Sequence, residues 1–239
     1  ATTVTFAPFT ATALGSNTVT VSIPADQAAV NNSLSKPMDV TVPLYSYKHP
    51  GTTAGGGVGL TGGSGAFVAK FTTTQPTSVT AANLEFFATS ATTYRLAIYG
   101  DAAGVPSTTA LYLDATDRTV TAAGPVTITL PTPVPVGPGS FYVGVQQTNT
   151  TNANYSFDIE APLRAGAFYF SGALPVTAWS DLSPANGFKL NIGCTLDRCN
   201  FTPSASNDGP FCPGGNLQLS SSATGAASYA WTGPNSFSS

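Results

Sequence analysis

Between residues 43 and 193 apolar and polar side chains alternate with a period of two, and no window of helical period competes. A strand points successive side chains to opposite faces, so this pattern dictates strands with one buried face. Leu84 and Phe86 fall on one face, and Leu96 and Ile98 follow with Arg95 and Tyr99 opposed. Val126, Ile128 and Leu130 alternate with Thr; Phe141, Val143 and Val145 point inward if Tyr142, Gly144 and Gln146 point outward. Phe157 and Ile159 alternate with Asp158 and Glu160, and Phe168, Phe170, Phe188, Leu190 and Ile192 complete the set. Strands that recur with turns between them make a sandwich or jelly roll. The run PTPVPVGPG at 131–139 lacks the N–H groups a central strand needs, so it reads as a stiff connection or a sheet edge.

Composition bears on what such strands face. Charged residues are only 8% of the chain, against about 25% in an average soluble domain. The apolar fraction of 42% with regular spacing still argues for buried cores rather than disorder. Thr and Ser take the place of Lys and Glu on the outer faces, where β-branched Thr suits the pleat. The net charge of −3 and scattered Lys and Arg give no basic stripe, so nucleic acid is not an expected partner. No apolar run approaches the roughly 20 residues of a membrane-spanning helix. With no initiator Met and no signal peptide, the expectation is a mature, processed or excised chain.

The flanks read as incomplete modules. Residues 1–42 alternate in VTF, NTVTVSI and MDVTV, which look like the closing strands of a sandwich whose opening strands are missing. Residues 43–193 form the complete β-sandwich, and 194–239 a linker with the opening strands of a further module. Two or three strands cannot close a sandwich. The protein is therefore expected to continue beyond Ser239, or its strands to pair with something else. Cys194 and Cys199 (CTLDRC) are close enough for a local bridge, which leaves Cys212 to a partner outside the chain. A single His and no CxxC pair argue against zinc.

The segments YRLAIYGDAAGVPSTTALY, GSFYVGVQQT and AWSDLSPANGFKLNI resemble the β-sandwich modules of large secreted and surface proteins of the Bacteroidota. The tail NDGPFCPGGNLQLSSSATGAASYAWTGPNSFSS resembles the front half of their immunoglobulin-like repeats, and the IPADQAAVNNS turn at Ile23–Ser33 the back half of an adhesion-type repeat. The resemblance implies an extracellular or outer-surface location in a Gram-negative bacterium, export by type IX secretion, and relatives among gliding-motility adhesins and multidomain hydrolases. It makes Trp231 the buried Trp of an immunoglobulin-like sandwich.

The candidates for chemistry are few. Gly57, Gly59 and Gly62 match GxGxxG without the following helix, and read as a flexible loop. Ser64 lacks the last Gly of a nucleophile elbow, since Ala66 stands there. His49, beside Pro50, is the one imidazole available to a catalytic triad and reads as a linker residue. Asp158 and Glu160 share a strand face, the raw material of glycoside hydrolysis, but read as the solvent side of that strand. Asp101, Asp114 and Asp117 are candidate oxygens for a structural calcium, weighed against their usual role in turns. Tyr99, Tyr142 and Tyr169 project from outward positions and Trp179 lies in a loop, so these four are the candidate ligand-binding aromatics. The competing role for Trp179 is to cap one end of the core.

These readings give an all-β, non-enzymatic, structural or adhesive segment of a long modular surface or secreted protein. No cofactor beyond that calcium is expected. The expected partners are surface glycans or other proteins, together with secretion or anchoring machinery. Two alternatives stand beside it: a carbohydrate-binding accessory module of a secreted hydrolase, and a filament subunit built by strand complementation.

Overall fold

The computed structural model describes residues 15–24, 32–40, 43–49, 51–197, 204–207 and 219–222. The chain divides into two units, Ala1–Asp197 and Arg198–Ser239, each taken by itself. Cys199, Cys212 and Trp231 lie outside the described residues.

In the first unit, β1 (Gly15–Ser22) and β2 (Ser33–Val40) form an antiparallel hairpin. The sandwich begins with β3 (Leu44–Ser46), β4 (Gly56–Val58), β5 (Gly65–Thr73) and β6 (Thr77–Phe86). Next come β7 (Thr93–Ala102), β8 (Val105–Leu113), β9 (Arg118–Thr119), β10 (Gly124–Val136) and β11 (Gly139–Gln147). It closes with β12 (Tyr155–Ile159), β13 (Phe168–Ser171), β14 (Ser180–Asp181), β15 (Phe188–Leu190) and β16 (Gly193–Leu196). In the second unit β17 (Ser204–Asn207) pairs with β18 (Leu219–Ser222).

The fold class read from the sequence, all-β, is the one observed, with two seven-stranded antiparallel sheets. One runs β15-β12-β6-β16-β3, with β10 on β6 and β4 on β12. The other runs β14-β13-β5-β11-β7-β8, with β9 on β7. The core between them takes the inward rows of both: Phe67, Leu96, Ile98, Phe141, Val143 and Phe168 from the second sheet, and Leu84, Phe86, Ile128, Tyr155 and Leu190 from the first. Each such fully buried large side chain contributes about 1.5–3 kcal/mol of transfer free energy. Among the described residues no helix is long and apolar enough to cross a membrane.

Three local features depart from the alternation. The first part of the proline run, through Val136, ends β10, which among the described residues pairs only with β6, and the register slips between Thr129 and Val134. Prolines there cost the ladder nothing, because a bulged edge strand needs fewer N–H donors. Ile159, read as inward, is 69% exposed, because β12 ends there. Cys194, read as opening the next segment, sits in β16 with no exposed surface, opposite Ala82.

The chain enters and leaves the sandwich side by side. Leu44 pairs with Thr195, and the Leu196 N–H donates to the Pro43 carbonyl at 3.1 Å.

Candidate functional site

The outer face of the second sheet gathers the aromatics singled out by the sequence. Tyr99 on β7 stands directly opposite Tyr142 on β11, and Tyr169 on β13 lies opposite Val68 on β5. With Ala97 these residues form a second buried cluster, against which Trp179 and Ala110 pack. Tyr142 meets Tyr169 edge to face at 5.7 Å, and Trp179 meets Tyr99 at 5.1 Å in the same manner. The three tyrosines do point away from the main core. They are not exposed, however: Tyr99 and Tyr142 have no accessible surface and Tyr169 has 5%. Trp179 is half-buried in its loop and covers this second cluster rather than an end of the core.

What covers the tyrosines is the β7–β8 hairpin. Its two-residue turn, Ala103 and Gly104, has φ of 57° and 91°, the left-handed pair that matches strand twist. The turn delivers the Gly104 carbonyl to two phenols, at 2.9 Å from Tyr142 and 3.1 Å from Tyr169. Tyr142 also donates to Asp101 Oδ1 at 2.9 Å, while Asp101 Oδ2 accepts the Gly104 N–H at 3.0 Å. The Trp179 indole N–H donates to the Ser107 carbonyl at 3.1 Å, and Gln146 donates to the Tyr99 hydroxyl at 2.7 Å. Burial, followed by the Asp101 carboxylate, pushes the Tyr142 phenol far above its ordinary pKa. The set is therefore a closed latch of protonated phenols on a carboxylate and a carbonyl, and not an open stacking platform. Sequence alternation assigned the face correctly; it carried no signal for a hairpin folding over it.

The candidate calcium aspartates are drawn apart into separate roles. Asp101 belongs to the latch. Asp114 accepts from the Leu96 N–H at 3.0 Å, the Tyr112 hydroxyl at 2.8 Å and Arg118 at 2.5 and 3.1 Å. Asp117 pairs with Arg95 at 2.6 Å. Among the described residues no three His, Cys, Asp or Glu side chains gather as a metal site.

Asp114 supports a pH prediction. Burial alone would raise its pKa, but Arg118, the Leu96 N–H and the Tyr112 hydroxyl together hold it below the ordinary carboxylate value. A carboxylate depressed in the folded state stabilises it above the unfolded pKa of about 3.9, and that stability is lost as pH falls through the folded value. Asp114→Asn is expected to cost ~1–3 kcal/mol at neutral pH and little at the acid end. Urea midpoints measured from pH 7 down to pH 2 check this. A constant deficit at every pH would show that the carboxylate charge is not what matters.

The remaining motifs also resolve into packing. The Gly-rich segment is not a free loop: β4 pairs with β12, and the buried Gln147 amide grips Leu60, Gly63 and Asn149. A Cβ on Gly59 would stand 2.5 Å from the Ala153 nitrogen, which explains glycine there. His49 accepts from Thr52 through its carbonyl at 2.8 Å. Asp158 and Glu160 do not share a site: Glu160 pairs with Arg164 at 2.7 Å, whereas Asp158 faces Lys48, Lys189 and Asn191. Cys194 is a free buried thiol, and burial pushes its pKa well up; Cys199, its candidate partner, lies outside the described residues.

A cavity of about 480 Å³ opens beside the latch, lined by Pro76, Gly100, Asp101, Leu111 and Pro138 among others. Leu111, on edge strand β8, is 55% exposed at this cavity. The cavity itself was not identifiable from sequence, since its lining comes from four separate segments of the chain.

Fold and face together define an all-β sandwich module with a latched outer sheet. No protein-family model matches the chain, and no curated protein matches it. Among solved structures, one similar chain holds the cysteine protease and lectin-like domains of Cwp84, a surface layer associated protein of Clostridium difficile. Its TM-score is 0.47 at 12% identity, over 69% of this chain and 38% of that one. A clostridial Cwp84 cysteine protease after propeptide cleavage gives 0.48 at 12%, over 67% and 42%. The chain thus spans well under half the length of either. A likeness of this depth carries no argument about activity.

Proposed function

We propose that this chain is a non-enzymatic display segment of a longer secreted or cell-surface protein, holding its sandwich out as a side-on adhesive module. The observation that carries this reading is the adjacency of Pro43 and Leu196, where the chain arrives and departs. A domain attached at one end stands off its parent chain, and its opposite parts are free to touch a partner. Support also comes from the polar side chains: Gln147, Tyr142, Tyr169 and Asp114 are all committed to fixing loops, which makes the module stiff. The partner surface in this reading is the cavity by Asp101 and Leu111, taking a surface glycan or another protein. An outer-surface location reached by type IX export belongs to the same proposal.

The test is excision of residues 43–197 from the parent protein, alongside the single variant Leu111→Asp. Because the ends are adjacent, the parent is expected to be exported at its normal level, with attachment to its surface reduced at least several-fold in both variants. Unchanged attachment would sink the adhesive reading. Loss of a hydrolytic activity on excision would replace it with an enzymatic one.

A further inference from the structure

The outer face of the other sheet carries a charged cluster with no part in the latch or the cavity. Glu85 projects from β6 and Asp158 from β12, while Lys48 follows β3 and Asn191 lies between β15 and β16. Lys48 Nζ stands 3.0 Å from Glu85 Oε2 and 3.9 Å from Asp158 Oδ1. The Asn191 amide nitrogen donates to those same two oxygens, at 3.2 Å each. An amine and a carboxamide thus share one pair of carboxylate oxygens. Asn191 is 3% exposed, and its Oδ1 has no hydrogen-bond partner among the described residues, which is costly for a buried acceptor. Lys189, the other amine, is held on the Tyr47 carbonyl at 2.7 Å.

We propose that Lys48 and Asn191 condense to an intramolecular isopeptide bond, with Glu85 carrying the protons. Glu85 takes a proton from the Lys48 ammonium, which frees the nitrogen lone pair to attack Asn191 Cγ. The resulting tetrahedral carbon collapses as Glu85 returns its proton to Nδ2. The Cγ–Nδ2 bond breaks, the Nζ–Cγ amide forms, and the second Nζ proton leaves with the departing nitrogen as ammonium. No oxidant or reductant is needed, and Glu85 ends as the carboxylate it began. Asp158 holds the amide in place through Nδ2. Side chains fixed by shared hydrogen bonds react as though highly concentrated, and a mostly dry site disfavours competing hydrolysis.

The position of the link gives it a consequence. Lys48 lies just beyond β3 and Asn191 just before β16, the two strands through which the chain enters and leaves. Tension on the ends would peel β3 from β16 and then stop at a covalent bond, which shields everything between. This holds whether or not the module is adhesive.

The test is the intact mass of the purified 239-residue chain, with tandem fragmentation of its tryptic peptides. The expected mass is one ammonia below the sequence mass, with the peptides of Lys48 and Asn191 found joined. Lys48→Arg keeps the charge but is no nucleophile, and it should return the full mass, as should Glu85→Gln. A wild-type chain at full mass after prolonged incubation overturns the proposal. So does an ammonia loss that persists in Lys48→Arg, which would mark a cyclic imide at Asn186–Gly187. A link that still forms in Glu85→Gln would overturn the role given to Glu85.

Discussion

Replacing Gln147 with Leu is expected to destabilise the sandwich by ~3–5 kcal/mol, lowering Tm by roughly 10 °C. The side chain has no accessible surface. Its Oε1 accepts the Leu60 N–H at 3.0 Å, and its Nε2 serves the carbonyls of Leu60, Gly63 and Asn149 at 2.7, 3.1 and 2.9 Å. Leucine fills the space but leaves one buried N–H and several carbonyls with nothing to bond, and each such orphan costs about 1–3 kcal/mol. Nearly the whole effect should therefore be polar. Gln146→Ala is the control: the neighbouring side chain points to the other face and makes one bond, to Tyr99. Thermal melts of the two variants check this. Equal losses at both positions would mean that the clamp on the Gly-rich segment contributes nothing special.

The second large effect is expected at Tyr142, and two substitutions there separate its two contributions. Tyr142→Ala empties a site with no accessible surface between Tyr99, Tyr169 and Val68, for a cost of about 3–5 kcal/mol. Tyr142→Phe keeps the ring and loses only the bonds to Asp101 and the Gly104 carbonyl, about 1–2 kcal/mol. Hydrogen exchange adds a readout that a simple packing loss would not move. In Tyr142→Phe the amides of the Ala103–Gly104 turn should exchange faster while those of β5 and β11 stay protected. Unchanged protection at the turn would show that Tyr169, which bonds the same carbonyl, suffices to hold the hairpin.

Both variants act on contacts between segments far apart in sequence, and this marks the boundary of what the sequence could disclose. Leu84, Phe86, Leu96, Ile98, Phe141 and Val143 were legible as core because alternation is a local property of a strand with one buried face. The outward placement of Tyr99 and Tyr142 followed from the same rule. Ile159 broke it, since a strand's last residue can run past the layer that would have buried it.

The sequence by itself determined that this chain is built of strands, which rows of side chains fill its core, and which tyrosines face away from that core. These follow from the period of two and the chemistry of each residue, with no knowledge of pairing. Only the tertiary structure decided that those tyrosines lie beneath a hairpin, that the three aspartates serve different partners, and that Lys48 and Asn191 share the Glu85 carboxylate. Such contacts depend on the sheet order and register that bring distant segments together. Alternation says which way a side chain points. It does not say what will be packed on top of it.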